Sequence, residues 1–156
     1  MIRIEIPGIE KIKIEHIVFD VNGTLALDGT LLPEVSSLLM ELSERANIHL
    51  LTADTHGKQA EIDHQLRITA TRVKAGKEAE QKAAYLKNLG PDQSAAIGQG
   101  ANDSLMLKAA RIGICVLSEE GTALETLLQA NLVTPDIISA LSLFIHPIRL
   151  VASLRK

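Results

Sequence analysis

Ile17-Val18-Phe19-Asp20-Val21-Asn22-Gly23-Thr24 is the stretch on which the reading of this chain turns. An apolar run enters an aspartate, and a Gly-Thr pair then turns the chain. A continuous apolar run is the pattern of a strand buried on both faces of a parallel sheet. Ligands of such sheets bind beyond the carboxyl ends of the strands, which is where Asp20 falls. Taken alone, Asp-x-x-Gly-Thr is equally well read as a carboxylate that caps a turn. Two later segments, each also following an apolar strand, favour a site.

Composition bounds the rest. At 156 residues, with 46% hydrophobic and 22% charged residues, the chain is expected to form one soluble globular domain spanning 1–156. Two Phe, one Tyr and no Trp make the core aliphatic and leave little for stacking bases. A net charge of −3 without a basic run argues against nucleic acid as a partner. The single Cys cannot form an internal disulfide; Cys115, inside the apolar run Ile112–Leu117, reads as a small buried hydrophobe. Met1–Lys13 alternates apolar and charged residues, unlike a targeting signal. Ile137–Ile145 is far short of a bilayer span. These features point to the cytoplasm and to no membrane segment.

In chain order, Ile2, Ile4 and Ile6 alternate with charged residues, Pro7-Gly8 turns, and Ile12 and Ile14 continue the alternation, predicting a hairpin that feeds the Ile17–Asp20 strand. Asp28-Gly29 between short apolar runs predicts a small β-flap just past Asp20. Pro33 opens a helix with Val35, Leu38, Leu39 and Leu42 on one face. A strand at Ile48–Thr52, a helix near Gly57–Leu66 and a strand at Ile68–Val73 follow. Lys77–Leu89 is helical and stops at Gly90-Pro91. The run Ser94–Ile97 enters Gly98-Gln99-Gly100-Ala101-Asn102-Asp103, which opens a helix through about Ala110. Strand Ile112–Leu117, helix Thr122–Ala130, strand Leu132–Thr134 and a helical tail broken at Pro147 complete the chain. Alternation of this kind predicts an α/β three-layer sandwich around a central parallel sheet with right-handed crossovers.

Three strand ends thus carry polar residues suited to a shared chemistry, namely Asp20-Val21-Asn22-Gly23-Thr24, Leu51-Thr52-Ala53-Asp54 and Gly98-Gln99-Gly100-Ala101-Asn102-Asp103. In this order they resemble the motifs of the haloacid-dehalogenase-like (HAD) phosphohydrolases, and within them the phosphorylation domain of P-type ATPases (D-K-T-G-T, T-G-D, G-D-G-x-N-D). Arg111-Ile112-Gly113-Ile114, Gly121 and Ala123 through Val133 extend the likeness, which covers roughly 15–150. The chain resembles a stand-alone relative of that domain, without membrane helices or a nucleotide-binding insert. The resemblance implies a HAD-like, Rossmannoid fold with a flap but no cap domain, since helix, strand and flap consume the intervals Thr24–Thr52 and Thr52–Lys82.

The same resemblance implies roles. Asp20 would attack phosphorus and become an aspartyl-phosphate. Thr52, with backbone N–H groups of Asn22, Gly23, Thr24 and Ala53, would hold the phosphoryl oxygens. A lysine would neutralise the charge: Lys82 heads an apolar helix face, with Lys77 as the competitor and a solvated helix face the plain alternative for either. Mg²⁺ is implied, because carboxylates around a dianionic phosphate repel it and each other. Its ligands would be the Asp20 carboxylate, the Asn22 carbonyl and the side chain of Gln99. Asp103 would act mainly through water, supported by Asn102, and Asp54 would orient the loops.

Two departures stand out. Phosphatases of that superfamily usually carry an acid–base Asp two residues after the nucleophile, where this chain has Asn22, an amide that does no acid–base work near neutral pH. Gln99 stands where the family has a metal-binding Asp, so that ligand brings no charge. A slow Mg²⁺-dependent phosphohydrolase favouring good leaving groups is one expectation. A regulatory module that binds phosphate or a phosphorylated partner is the other, and weak ATP hydrolysis a third. The substrate would be a phosphorylated small molecule or macromolecule, and a second subunit or a large substrate would cover the open site. The five histidines show no zinc spacing; His56 reads as a helix-start surface residue within reach of substrate, and Asp92, Glu119 and Glu120 as solvated turn residues. Gly98-x-Gly100 lacks the third glycine of a dinucleotide fingerprint.

Overall fold

The structure, a computed structural model, describes residues 1–9 and 11–156. In chain order the elements are β1 (Ile2–Ile4), β2 (Ile12–Ile14), β3 (His16–Asp20), β4 (Ala26–Leu27), β5 (Thr30–Leu31), α1 (Val35–Ser43), β6 (Asn47–Thr52), α2 (Gln59–Leu66), β7 (Thr71–Arg72), α3 (Glu78–Leu89), β8 (Ser94–Gly98), α4 (Ser104–Ala109), β9 (Ile112–Val116), α5 (Leu124–Gln129), β10 (Leu132–Thr134), α6 (Ile137–Ile145) and α7 (Ile148–Leu154). Six of the strands form one sheet in the order β10-β9-β8-β3-β6-β7, and every neighbouring pair is parallel. This is the α/β sandwich expected, with β3 between β8 and β6: Phe19 pairs with Leu50 on one side and Ile97 on the other.

Strand alternation splits the core into two layers. Ile17, Phe19, Leu50, Ala95, Ile97, Ile112 and Ile114 face one way and join Leu39 and Leu42 of α1 with Leu141 and Phe144 of α6. Val18, Leu51, Ala96 and Cys115 face the other way, onto Leu86 of α3 and Met106 and Leu107 of α4. Cys115 is buried as expected, and burial, with the Asp103 charge behind it, pushes its thiol up to about 11. The hairpin β1–β2 turns Ile2, Ile4, Ile12 and Ile14 inward and sends Arg3 and Lys13 out as a cross-strand pair. Each such isoleucine contributes about 1.5–3 kcal/mol by burial.

The flap is the antiparallel pair β4–β5, with Ala26 opposite Leu31. Its Asp28-Gly29 turn has both residues at positive φ, 50° and 78°, the geometry that matches the strand twist of a two-residue hairpin. Among the described residues no further domain intervenes between β3 and α1. The expected strand at Ile68–Val73 shrinks to Thr71–Arg72. It lies at the sheet edge and, among the described residues, has only β6 as a partner, so little holds the flanking residues in the ladder. The tail breaks at Pro147, with α6 and α7 bent by 107°, and no single helix among the described residues is long and apolar enough to cross a membrane.

Candidate active site

Because the sheet is parallel, β3, β6, β8 and β9 all end at one edge, and their loops meet there. Asp20 is the last residue of β3 and 5% exposed. The chain leaves it through a tight turn in which Val21 C=O accepts from the N–H groups of Leu25 and Ala26, at 2.9 and 3.0 Å. That turn folds the Thr24 hydroxyl back to donate to Asp20 Oδ2 at 3.1 Å. Gly23 has φ +80°, and a Cβ there would lie 2.0 Å from Gln99 Nε2. Glycine is needed both for the backbone and for the close approach of Gln99.

Lys82 comes from the inner face of α3, one turn before Leu86, and is fully buried. Its Nζ donates to Asp20 Oδ1 at 2.7 Å, Asp103 Oδ1 at 2.7 Å and Asn102 Oδ1 at 3.1 Å. Burial alone would lower this ammonium; the Asp20 and Asp103 carboxylates outweigh burial and hold Lys82 charged, well above the ordinary lysine value. Burial, then the like charge of Asp20, push Asp103 up to about 7 against the pull of Lys82. Lys77, the competing lysine, is exposed at the start of α3 with φ 58° and stands apart from this group.

Asp103 differs from expectation. Rather than facing a metal through water, it is fully buried, and both its oxygens are occupied. Oδ1 takes Lys82, while Oδ2 accepts from Gln99 N and Gly100 N, each at 3.0 Å. It holds the lysine and the loop after β8 together. Thr52 is also turned inward: its fully buried Oγ1 accepts from Asn22 Nδ2 at 3.2 Å and from Asp54 N at 2.9 Å. Asp54, at φ 52°, accepts from Gln59 N at 3.1 Å, so it joins the β6 loop to α2, an orienting position. The loop after β9 is tied to the same edge, since Ala123 N donates to Gln99 C=O at 2.8 Å and Thr126 Oγ1 donates to Gly100 C=O at 2.6 Å.

Asp20, Asn22, Ala53, Gln99 and Asn102 line one polar cavity of about 360 Å³. Asp20, the Asn22 carbonyl and Gln99 offer oxygen donors of the hard type that Mg²⁺ takes, so the residues that share this cavity fit that ion. Thr55, His56, Glu78 and Glu120 line it as well. Nothing in the sequence pattern singles out Glu78, and the pattern around Glu120 reads as a solvated turn. The signal for Glu120 is its place after an apolar strand, at the edge where all the loops converge.

No family model matches the chain. Uncharacterized protein MJ0073 of Methanocaldococcus jannaschii is 41% identical over 88 residues, which is 54% of this chain and 95% of that protein. Among solved structures, the 3-deoxy-D-manno-octulosonate 8-phosphate phosphatase of Moraxella catarrhalis, in complex with magnesium, phosphate and KDO, superposes with a TM-score of 0.69 at 16% identity, over 91% of this chain and 94% of that one. A phosphoserine phosphatase holding an analogue of its phospho-aspartyl intermediate gives 0.61 at 16% identity, over 83% and 98%. A zinc-transporting PIB-type ATPase in its E2.Pi state gives 0.63 at 25% identity, over 80% of this chain and only 20% of the pump. The chain thus belongs to one family with MJ0073 and is folded as a domain of the haloacid-dehalogenase-like superfamily.

Proposed function

We propose that the protein is a Mg²⁺-dependent phosphohydrolase that works through an aspartyl-phosphate on Asp20. The observation that carries this reading is the nucleophile's setting: a carboxylate at a strand end, gripped by the buried Lys82 and by Thr24, open on one side to a polar cavity. The phosphatase and pump folds it shares support the same reading. An Asp20 oxygen attacks phosphorus, and Lys82 offsets charge as the anhydride forms. The backbone N–H groups of Asn22 and Ala53, which line the cavity, bind the phosphoryl oxygens; those of Gly23 and Thr24, expected to join them, instead donate to Ala26 C=O at 2.8 Å and Val21 C=O at 3.2 Å within the turn. Mg²⁺ held by Asp20, the Asn22 carbonyl and Gln99 would supply positive charge at those oxygens. The substrate class is a phosphorylated small molecule or macromolecule able to enter a site covered only by loops and flap.

The test is covalent labelling with [³²P]acetyl phosphate and Mg²⁺, with phosphate release measured across acetyl phosphate, p-nitrophenyl phosphate, ATP and sugar phosphates. A hydroxylamine-labile label on the peptide bearing Asp20, with release favouring good leaving groups, is expected. Absence of both label and release would turn the reading to a module that binds phosphate without turnover. Gln99→Asp adds a charge to the ligand set, so the Mg²⁺ concentration for half-maximal release should fall about tenfold or more. An unchanged Mg²⁺ dependence would remove Gln99 from the ligands.

A further inference from the structure

We propose that His56, steadied by Glu120, is the acid–base group of this site, in place of the carboxylate that Asn22 lacks; this rests on the aspartyl-phosphate reading above. Asn22 cannot titrate, and its amide is committed to Thr52 Oγ1. His56 lines the cavity that Asp20 opens into, and Glu120 lines it beside His56. The two come from the loops after β6 and β9, and His56 Nε2 lies 3.6 Å from Glu120 Oε1. Glu120 is fixed in turn by the flap, since Asp28 N donates to its Oε2 at 3.3 Å. Gly29 packs down on the same loop: a Cβ there would stand 3.0 Å from His56 Cβ and 2.9 Å from Lys58 Cδ. Ligand atoms of Asp28, His56 and Glu120 all lie within 4.8 Å of one another. Two loops far apart in sequence therefore line the open side of the nucleophile, and the flap braces both.

In-line displacement makes that side the decisive one. The leaving group departs opposite Asp20, and the water that cleaves the intermediate must enter by the same route, so one group there serves both halves. The ring nitrogen not held by Glu120, Nδ1, gives its proton to the leaving oxygen as the bond from Asp20 to phosphorus forms and the bond to that oxygen breaks. Neutral His56 then takes a proton from water as the water oxygen bonds to phosphorus and the Asp20–phosphorus bond breaks. Asp20 returns as a carboxylate, phosphate leaves, and the imidazolium is ready for the next cycle. The charged groups around His56 are Glu120 and Asp28 from their loops, Lys58 from its own, and Glu78 and Asp20 across the cavity. Of the titratable side chains that line the cavity, only an imidazole both gives and takes a proton near neutral pH.

The experiment is a chase of the [³²P]-labelled protein in Mg²⁺, following label loss from pH 5.5 to 8.5. Wild type is expected to lose label faster as pH rises through the imidazole range, about pH 5 to 8. His56→Ala, at an exposed position, should slow the loss about 100-fold or more and abolish that dependence, and added imidazole should restore the rate in proportion to its concentration. Glu120→Gln should slow the same step without rescue by imidazole, a contrast that a merely structural role would not produce. Label loss from His56→Ala at the wild-type rate, or a slow loss indifferent to imidazole, overturns the assignment and leaves the nucleophile intact. A wild-type chain that takes no label overturns both.

Discussion

Asp20→Asn is expected to abolish phosphate release, by about 1,000-fold or more, while the protein stays as stable as wild type within about 1 kcal/mol. Asparagine keeps the shape of the group: its amide oxygen can accept from Lys82 Nζ, and its NH₂ can donate to Thr24 Oγ1, the partners that Asp20 holds at 2.7 and 3.1 Å. What disappears is the proposed nucleophile, one of two carboxylates crowded on one ammonium. With Asp20 gone, Lys82 faces Asp103 alone, so the like charge that pushes Asp103 upward is removed. Phosphate release and a urea melt on the same preparation separate chemistry from folding. Residual release near the wild-type rate would mean that another group does the work.

Lys82→Met should give the largest loss of stability, about 3–5 kcal/mol at neutral pH, together with loss of turnover. The side chain is fully buried, and its removal leaves the Asp20 and Asp103 carboxylates facing each other without a counter-charge. The pH dependence distinguishes charge from packing. In wild type the raised value of Lys82 contributes stability below the ordinary lysine pKa of about 10.4 and loses it only as pH rises beyond that through the folded value. In the variant Asp103, held high by burial and by Asp20, loses the ammonium that pulls it down and rises further. Its protonated form is favoured in the fold, so the variant is most stable in acid and weakens further than wild type as pH rises toward 7 and beyond. Urea melts at pH 5, 7 and 8 should therefore show a gap from wild type that widens with pH. A gap of equal size at every pH would make the loss one of packing alone.

Much of the site was legible because strand ends announce themselves. The apolar run into Asp20 and the run Ser94–Ile97 into Gly98 could only be strands, and a parallel sheet brings their ends to one edge. The pump-like pattern of a lysine ahead of an apolar helix face favoured Lys82 but left Lys77 open; what turns Lys82 inward is the packing of its helix face, through Leu86, on Leu51 and Ala96. The roles of Asp103 and Thr52 were not. Both fit motifs whose spacing says which loop they occupy but not which way the side chain turns, and here their polar atoms are consumed by Lys82, Gln99, Gly100, Asn22 and Asp54. His56 and Glu120 were harder still, for nothing local distinguishes them from solvated loop residues.

The order of elements, the buried parallel sheet, the flap at Asp28-Gly29 and the aspartate at a strand end were determined by the sequence itself. Each rests on periodicity or turn chemistry that acts over a few residues. Tertiary structure alone decided that Lys82, and not Lys77, meets Asp20; that Asp103 points inward; and that His56 and Glu120 line the cavity, with Asp28 of the flap bonded to Glu120. Those contacts join residues far apart in the chain, and their geometry is set by how six strands align and how much space the packed helices leave. Short-range pattern does not encode that alignment; only the assembled sheet does.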